Sequence, residues 1–323
     1  YYLSCTGCQY QHVDYEEQLN IKRKFVIDEL SSVKTFSVEK IDHTFPSINK
    51  YEYRNHARFS VSKTDKYKGN IGFINRWNRK LIPIAKCEIM SMKINSILYQ
   101  LKNKLPGYSQ FSVRVGVNSD SYLIQPKIPE LGNIKTGQDH YHEKINGIDQ
   151  KISSPSFFQV NTTQAENLGK IVKDLLELRG SEVLIDAFSG VGTFAVLLSQ
   201  YVKKIYGIES SFSSISDAFY NSKAIQNIEF IHSDVESIEP DIFKEHIDAV
   251  ILDPSRKGVH NKALEWIEKL LPNQIIYVSC ELKTLKRDLN KLTNNYSIRK
   301  VIPVDMFPHT KHVECIVSLE KIN

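Results

Sequence analysis

No run of apolar residues in this chain approaches the roughly 18 to 20 needed to span a bilayer, and no charged-then-apolar leader pattern opens it. Cysteine is scarce. Five in 323 residues, unevenly spaced, cannot make a secreted disulfide framework, so a cytoplasmic protein is expected. Glycine (14) and proline (11) are sparse, the hydrophobic and charged fractions (41% and 24%) are ordinary, and nothing repeats. Collagen-like, coiled-coil and disordered classes are thereby excluded. There is little excess charge of one sign either: the total is +5. That small total is unevenly spread. Residues 51–80 hold Arg54, Arg58, Lys63, Lys66, Lys68, Arg76, Arg79 and Lys80 against Glu52 and Asp65, a net of +6, so the rest of the chain comes to −1. Tyr51, Tyr53, Phe59, Tyr67, Phe73 and Trp77 fall in the same window. Basic residues interleaved with aromatics suit a surface that neutralises phosphates and stacks bases; a twisted strand pair with a solvated basic face has the same composition.

The length predicts two domains. Residues 15–33 have helical spacing, with Leu19, Lys22, Phe25, Val26 and Leu30 in register and Ser31-Ser32 closing the run. From Tyr53 to Leu123 the runs are short and β-branched or aromatic, broken at Lys68-Gly69-Asn70 and Asn118-Ser119-Asp120, with a helix near 92–104. Thr163-Gln164-Ala165-Glu166 reads as a capping box opening a helix that Gly180 stops. Strands are then predicted over 182–186, 204–208, 228–232, 248–252 and 274–279. Helices near 193–201, 212–225, 261–270 and 283–293 separate or follow them. Such alternation means a doubly wound α/β fold with a parallel sheet. Runs 297–304 and 312–320 predict an antiparallel hairpin at its edge.

In such sheets ligands bind beyond the carboxyl ends of the strands. The first ends in VLIDAFSGVGTFA, where Gly190-x-Gly192-x-x-Ala195 lets backbone approach a ligand at a helix N-terminus, or simply makes a tight turn. Asp186, Glu209, Asp234 and Asp253 follow four successive strands. Each could be a helix cap. Together they would crowd a pyrophosphate and suit a ligand carrying an amine or sulfonium, which points to S-adenosylmethionine over a nicotinamide cofactor. Strand 274–279 delivers Cys280 to the same edge, and PVDMFPHTKHVE supplies His312 and Glu314. DPSRKG adds Arg256 and Lys257. Alone, a strand-end cysteine is usually a small buried hydrophobe. Thiolate, carboxylate, basic pair and methyl donor together suggest methylation of a ring carbon that is not nucleophilic by itself.

The segments SPSFFQVN, DAFSGVGTFA, GIE, DPSRKG, YVSC…TLKRDL and DMFPHTKHVE, in this order, resemble the RNA 5-methyluridine methyltransferase family, through most of residues 150–323. CTGCQYQH with YEEQL resembles its iron–sulfur region, and YRNHARF and IGF its central domain. The resemblance implies a Rossmann-like methyltransferase sheet over 149–323 and a smaller β-rich RNA-binding α+β domain over 21–148. Residues 1–20 would be a cysteine-bearing segment completed by Cys87. It makes Cys280 the nucleophile and Glu314 the general base, and places Gln159, Phe188, Glu209 and Asp253 on S-adenosylmethionine, beside Gly190 and Asp234 of the same edge. A free thiol with a pKa of about 8.5 then calls for activation by nearby positive charge, from Arg256 or Lys257.

By spacing alone, Cys5-x-x-Cys8 is a redox pair, half a zinc site or part of an iron–sulfur cluster. The resemblance favours a [4Fe-4S] cluster on Cys5, Cys8 and Cys87. Its pattern puts a fourth cysteine six residues before Cys5, and because the chain opens at Tyr1 rather than Met, that ligand is expected upstream. Cys315 is expected to point away from Glu314 and be structural. The sequence departs from the family at Glu281-Leu282, where Asn-Pro is common, at Thr6 where Gly is usual, and in having no N-terminal RNA-binding barrel. The expected partner is RNA, ribosomal more than transfer, with no membrane and a monomeric protein. Methylation of an exocyclic nitrogen, a non-catalytic iron–sulfur RNA-binding module and a nicotinamide oxidoreductase are the rivals.

Overall fold

Alternation at a period of two builds the first sheet. In β1 (His56–Val61), Ala57, Phe59 and Val61 turn inward and Arg58 outward. β2 (Ile71–Ile74) and β4 (Gln110–Val115) flank it; β3 (Leu81–Pro83) and β5 (Tyr122–Gln125) complete an antiparallel sheet of order β3-β2-β1-β4-β5. One helix, α2 (Met92–Leu101), lays Ile94, Leu98 and Leu101 on that core. Its N-cap Ser91 accepts from the Ile94 backbone N–H. The computed structural model describes residues 1–63, 69–105, 107–129, 131 and 133–322, so Asp65, Lys66, Tyr67 and Lys68 of the basic window lie outside the described residues. A hairpin of β6 (His140–Ile145) and β7 (Ile148–Ser153) follows and forms a small core with Phe158, Val191 and Leu197.

The second sheet has order β10-β9-β8-β11-β12-β14-β13. Its strands are β8 (Val183–Ala187), β9 (Lys204–Glu209), β10 (Ile228–His232), β11 (Ala249–Leu252), β12 (Gln274–Ser279), β13 (Tyr296–Val304) and β14 (Glu314–Lys321). The first five are mutually parallel, and β14 runs antiparallel between β12 and β13. Its strands read as continuous apolar runs because both faces are covered. Ile185, Val250, Ile275 and Tyr277 face α6 (Asn261–Leu270), α7 (Leu282–Leu292) and α1 (Tyr15–Leu30). Leu184, Ile251, Ile276 and Val278 face α3 (Thr162–Leu176), α4 (Thr193–Leu198) and α5 (Phe212–Ser222). No helix among the described residues is long and apolar enough to cross a membrane.

Three local expectations change. Helix α3 begins two residues earlier than the capping box: its N-cap is Asn161, which accepts from the Gln164 N–H, while Glu166 instead accepts from the Asn146 N–H at 2.8 Å. It ends at Leu176 through a left-handed Glu177, before Gly180. Helix α1, which the expected boundary at residue 20 divides between the cysteine segment and the central domain, packs as one piece against α7 and the large sheet. A buried ion pair fixes it there. Lys22 Nζ donates to Asp305 Oδ1 at 2.5 Å, and Tyr15 OH donates to Asp305 Oδ2 at 2.8 Å. The small sheet is tied on by Asn55, whose side-chain amide donates to Gln159 O and Thr162 Oγ1, and by Tyr53 OH donating to Pro308 O.

Candidate active site

Register alone brings Cys280 and Glu314 together. Ser279 pairs with Cys315 across the antiparallel β12–β14 ladder, so the next residues on that edge are Cys280 and Glu314. Successive side chains of β14 point to opposite faces, and Cys315 accordingly lies fully buried in the α1/α6/α7 core. Its expected structural role fits that position. Asp253 follows β11, whose last residue pairs with both Ala187 and Tyr277, and so reaches the same edge. Arg256 stands three residues on, exposed, in the loop before α6.

The electrostatics of this corner oppose ionisation. Burial pushes the Cys280 thiol up to about 11, with the Glu314 and Asp253 carboxyls adding to the rise and the Arg256 guanidinium pulling it down. Glu314, buried, is held well above the usual carboxylate range by desolvation and by Asp253, against Arg256. Burial pushes Asp253 up to about 7. Arg256 is the cation that lowers the thiol pKa, the direction expected of a nearby positive charge. Desolvation outweighs the guanidinium, so the resting thiol is protonated. His312 is pushed down to about 4 by burial and by the positive charges of Arg256, Lys311, Arg76 and Lys22, so it is neutral at pH 7.

At the other end of the edge the β8–α4 turn makes a cradle. Phe188, Gly190 and Gly192 all have left-handed backbones (φ 67°, 56° and 83°). A Cβ on Gly192 would stand 2.8 Å from Phe230 Cζ, so that position requires glycine. Two of the four strand-end carboxylates are partly spent on backbone, as the capping reading allows. Glu209 accepts from the Gly190 and Ser211 N–H groups, and Asp186 Oδ2 accepts from the Ala195 N–H. Asp186 Oδ1 and Ser189 Oγ are nevertheless buried without a partner. Burial pushes Asp186 up to about 8, with Asp253 and Glu209 also raising it and the Ala195 N–H lowering it. Orphaned polar atoms beside a glycine cradle fit a polar ligand such as S-adenosylmethionine. Gln159 is partly buried and its carbonyl holds Asn55, whereas Asp234 is exposed after β10, the edge strand.

The remaining predicted residues sit apart. Cys5, Cys8 and Cys87 line one cavity together with Tyr1, Tyr2 and Phe73. Burial pushes Cys8 up to about 12, Cys87 and Cys5 raise it further, and Arg54 lowers it. Among the described residues no group of three or more His, Cys, Asp or Glu side chains is arranged to hold a metal ion. Neutral thiols have no electrostatic reason to close on one point. Between the two regions runs the segment 305–314, which sequence reasoning read only for His312 and Glu314. The backbone N–H groups of Gln9 and Tyr10 both donate to His309 O, and the Gln18 amide contacts His309 Nδ1 at 3.2 Å. Gln18 and Lys22, polar yet fully buried on α1, are its fasteners. A lysine inside an apolar helical stripe was the one signal available.

The family model described as tRNA (Uracil-5-)-methyltransferase matches residues 132–322. An uncharacterized RNA methyltransferase of Clostridium tetani is 33% identical, with 98% of this chain and 81% of that protein covered. Another from Clostridium acetobutylicum is 31% identical, covering 100% and 83%. Among solved structures, the Pyrococcus abyssi tRNA (uracil-54, C5)-methyltransferase in complex with S-adenosyl-L-homocysteine superposes with a TM-score of 0.80 at 26% identity. The match covers 98% of this chain and 86% of that one.

Proposed function

The chain belongs to the tRNA (uracil-5-)-methyltransferase family and is an S-adenosylmethionine-dependent RNA uracil-5-methyltransferase; from that premise we propose that it works through a covalent bond between Cys280 and the uracil ring. The observation that carries this reading is the pairing of a thiol and a buried carboxyl at one strand edge, with Asp253 and Arg256 around them. Carbon 5 of uracil is a poor nucleophile until something adds at carbon 6. Cys280, once deprotonated, adds there through sulfur and leaves an enolate-like ring whose carbon 5 carries the electron pair. S-adenosylmethionine, when bound, would supply an electrophilic methyl carbon for that electron pair, the methyl–sulfur bonding pair leaving with the neutral thioether S-adenosylhomocysteine. Glu314 as carboxylate then removes the carbon 5 proton, the electrons of that bond restore the ring double bond, and the carbon–sulfur bond breaks to return the thiolate. Arg256 is the group that stabilises both anions, and it is exposed.

The reading is tested with 5-fluorouridine-containing RNA and S-adenosylmethionine on a denaturing gel. Fluorine cannot leave as a proton, so the expected result is a stalled covalent adduct, absent in Cys280→Ala. No adduct, with RNA and cofactor binding demonstrated, would move the reaction to nitrogen or leave a binding role.

Ribosomal RNA is the proposed substrate, on the strength of the cysteine segment beside the catalytic set. Transfer RNA is the second reading, favoured by the likeness to the Pyrococcus abyssi enzyme. Unmodified transcripts of each, compared for methyl incorporation, decide between them. The proposal extends to Cys5, Cys8 and Cys87 as three thiolate ligands of an iron–sulfur cluster, supported by their sharing of one cavity and by the preference of such clusters for thiolates. Iron and sulfide analysis of anaerobically purified protein tests it; protein free of both overturns it.

A further inference from the structure

The structure divides the aromatic residues of the basic window. Tyr53 and Phe59 are buried and Phe73 packs on the small-sheet core, so they are structural. Tyr51 stacks on His309, with ring centroids 4.3 Å apart. Trp77 is different: it is 87% exposed, at the tip of the β2–β3 turn. An indole left in water forfeits the largest apolar burial any side chain offers, and the turn does not need it. Asn75 makes the turn, its Oδ1 accepting from the backbone N–H groups of Trp77 and Asn78 at 2.8 and 3.2 Å.

The tip is also fastened. Asn75 Nδ2 donates to Ser4 O and the Arg76 N–H to Thr6 Oγ1. The same N-terminal loop bonds to His309 through Gln9 and Tyr10, and so to the segment that ends at Glu314. Arg76 approaches closely enough for its charge to act on His312, on which Arg256 also acts. Arg76, Arg79 and Lys80 flank Trp77 in the same turn, all exposed and none in an ion pair among the described residues. An exposed π-face with unpaired cations in the same turn, hydrogen-bonded to the N-terminal loop and on the side of the molecule where Arg76 acts on His312, complements a polymer of bases and phosphates.

We propose that Trp77 is a stacking platform for a nucleobase of the substrate RNA outside the reaction pocket, with Arg76, Arg79 and Lys80 holding the flanking phosphates. This rests on the RNA-methyltransferase reading and adds the surface that receives the strand leading to the target uridine.

The protein reports on the contact directly. Of its two tryptophans, Trp266 is buried with its indole N–H donating to Ile238 O, so Trp77 is the solvent-facing fluorophore. A single-stranded uridine-containing oligoribonucleotide should quench its emission, with binding followed independently by anisotropy of a label on the RNA. Trp77→Phe should bind with little loss but without the quench. Trp77→Ala should weaken binding roughly tenfold, the loss falling on KM and not on kcat. Arg79→Ala and Lys80→Ala should each lower the slope of log affinity against log salt by about 0.7. RNA that binds without quenching, or that binds Trp77→Ala as tightly as wild type, overturns the proposal. RNA that binds neither protein overturns the substrate reading beneath it.

Discussion

The molecule holds two groups of thiols, and their surroundings differ in kind. Around Cys280 stand carboxyls and one guanidinium; around Cys8 stand two further thiols and one guanidinium, that of Arg54. Desolvation is the leading cause of a raised thiol pKa in both. At Cys280 the neighbours can accept or release a proton as the thiol changes state, which suits a sulfur that is charged only in passing. At Cys8 the neighbours can only add to the same problem, and three thiolates would need one shared positive centre to coexist. The first arrangement suits the proposed turnover and the second the proposed cluster.

The comparison breaks most completely at Cys280. Cys280→Ala should reduce methyl transfer to background and abolish adducts with 5-fluorouridine RNA; an adduct surviving that change would move the nucleophile to the other thiol group. Glu314→Gln should slow release by about 10²–10⁴-fold, so that with ordinary uridine RNA the covalent species accumulates on a denaturing gel. Lys22→Met tests what links the regions. Leaving Asp305 buried without its charged partner, with only Tyr15 OH still donating to it, should cost about 3 kcal/mol in urea unfolding, and Lys22→Met/Asp305→Leu should recover most of it. The smallest effect is expected from Arg256→Gln. The Cys280 thiol lies near 11, so adduct formation should rise about tenfold per pH unit between pH 7 and 9 as its thiolate fraction grows. Arg256 lowers that pKa, so its loss should raise it and depress the rate across the window without changing the slope. A rate independent of pH, measured by rapid quench, would rule out thiol ionisation as the limiting step.

Much of the large sheet was legible because a strand buried on both faces writes a short apolar run, and five such runs between helical patterns admit few arrangements. Cys280 and Glu314 were legible for the same reason: each stands one residue from a strand core. What resisted reading needed distances. Asn161 and Thr163 are equally good caps, and only the competing bond from Asn146 to Glu166 decides between them. The lowering of the Cys280 pKa by Arg256 has the expected sign, but the larger opposing effect of desolvation could not be read, because an exposed arginine is visible in sequence and burial is not. Phe59 and Trp77 look alike in a list of aromatics, yet strand alternation buries one and a turn expels the other. Helix α1 could have covered either sheet, and it took the pairing of Lys22 with Asp305, 283 positions away, to choose.

The place of β14 has a consequence for how the protein comes into being. This strand enters antiparallel between β12 and β13, and its first residue is Glu314. During synthesis, which builds from the N-terminus, the glycine cradle, Asp253 and Cys280 all emerge before the residue that must face them. Until β14 emerges, the chain carries the Cys280 thiol without the carboxyl that faces it and a sheet with an open slot beside β12. Under the proposed mechanism, a chain interrupted before β14 is expected to be inactive, not partly active.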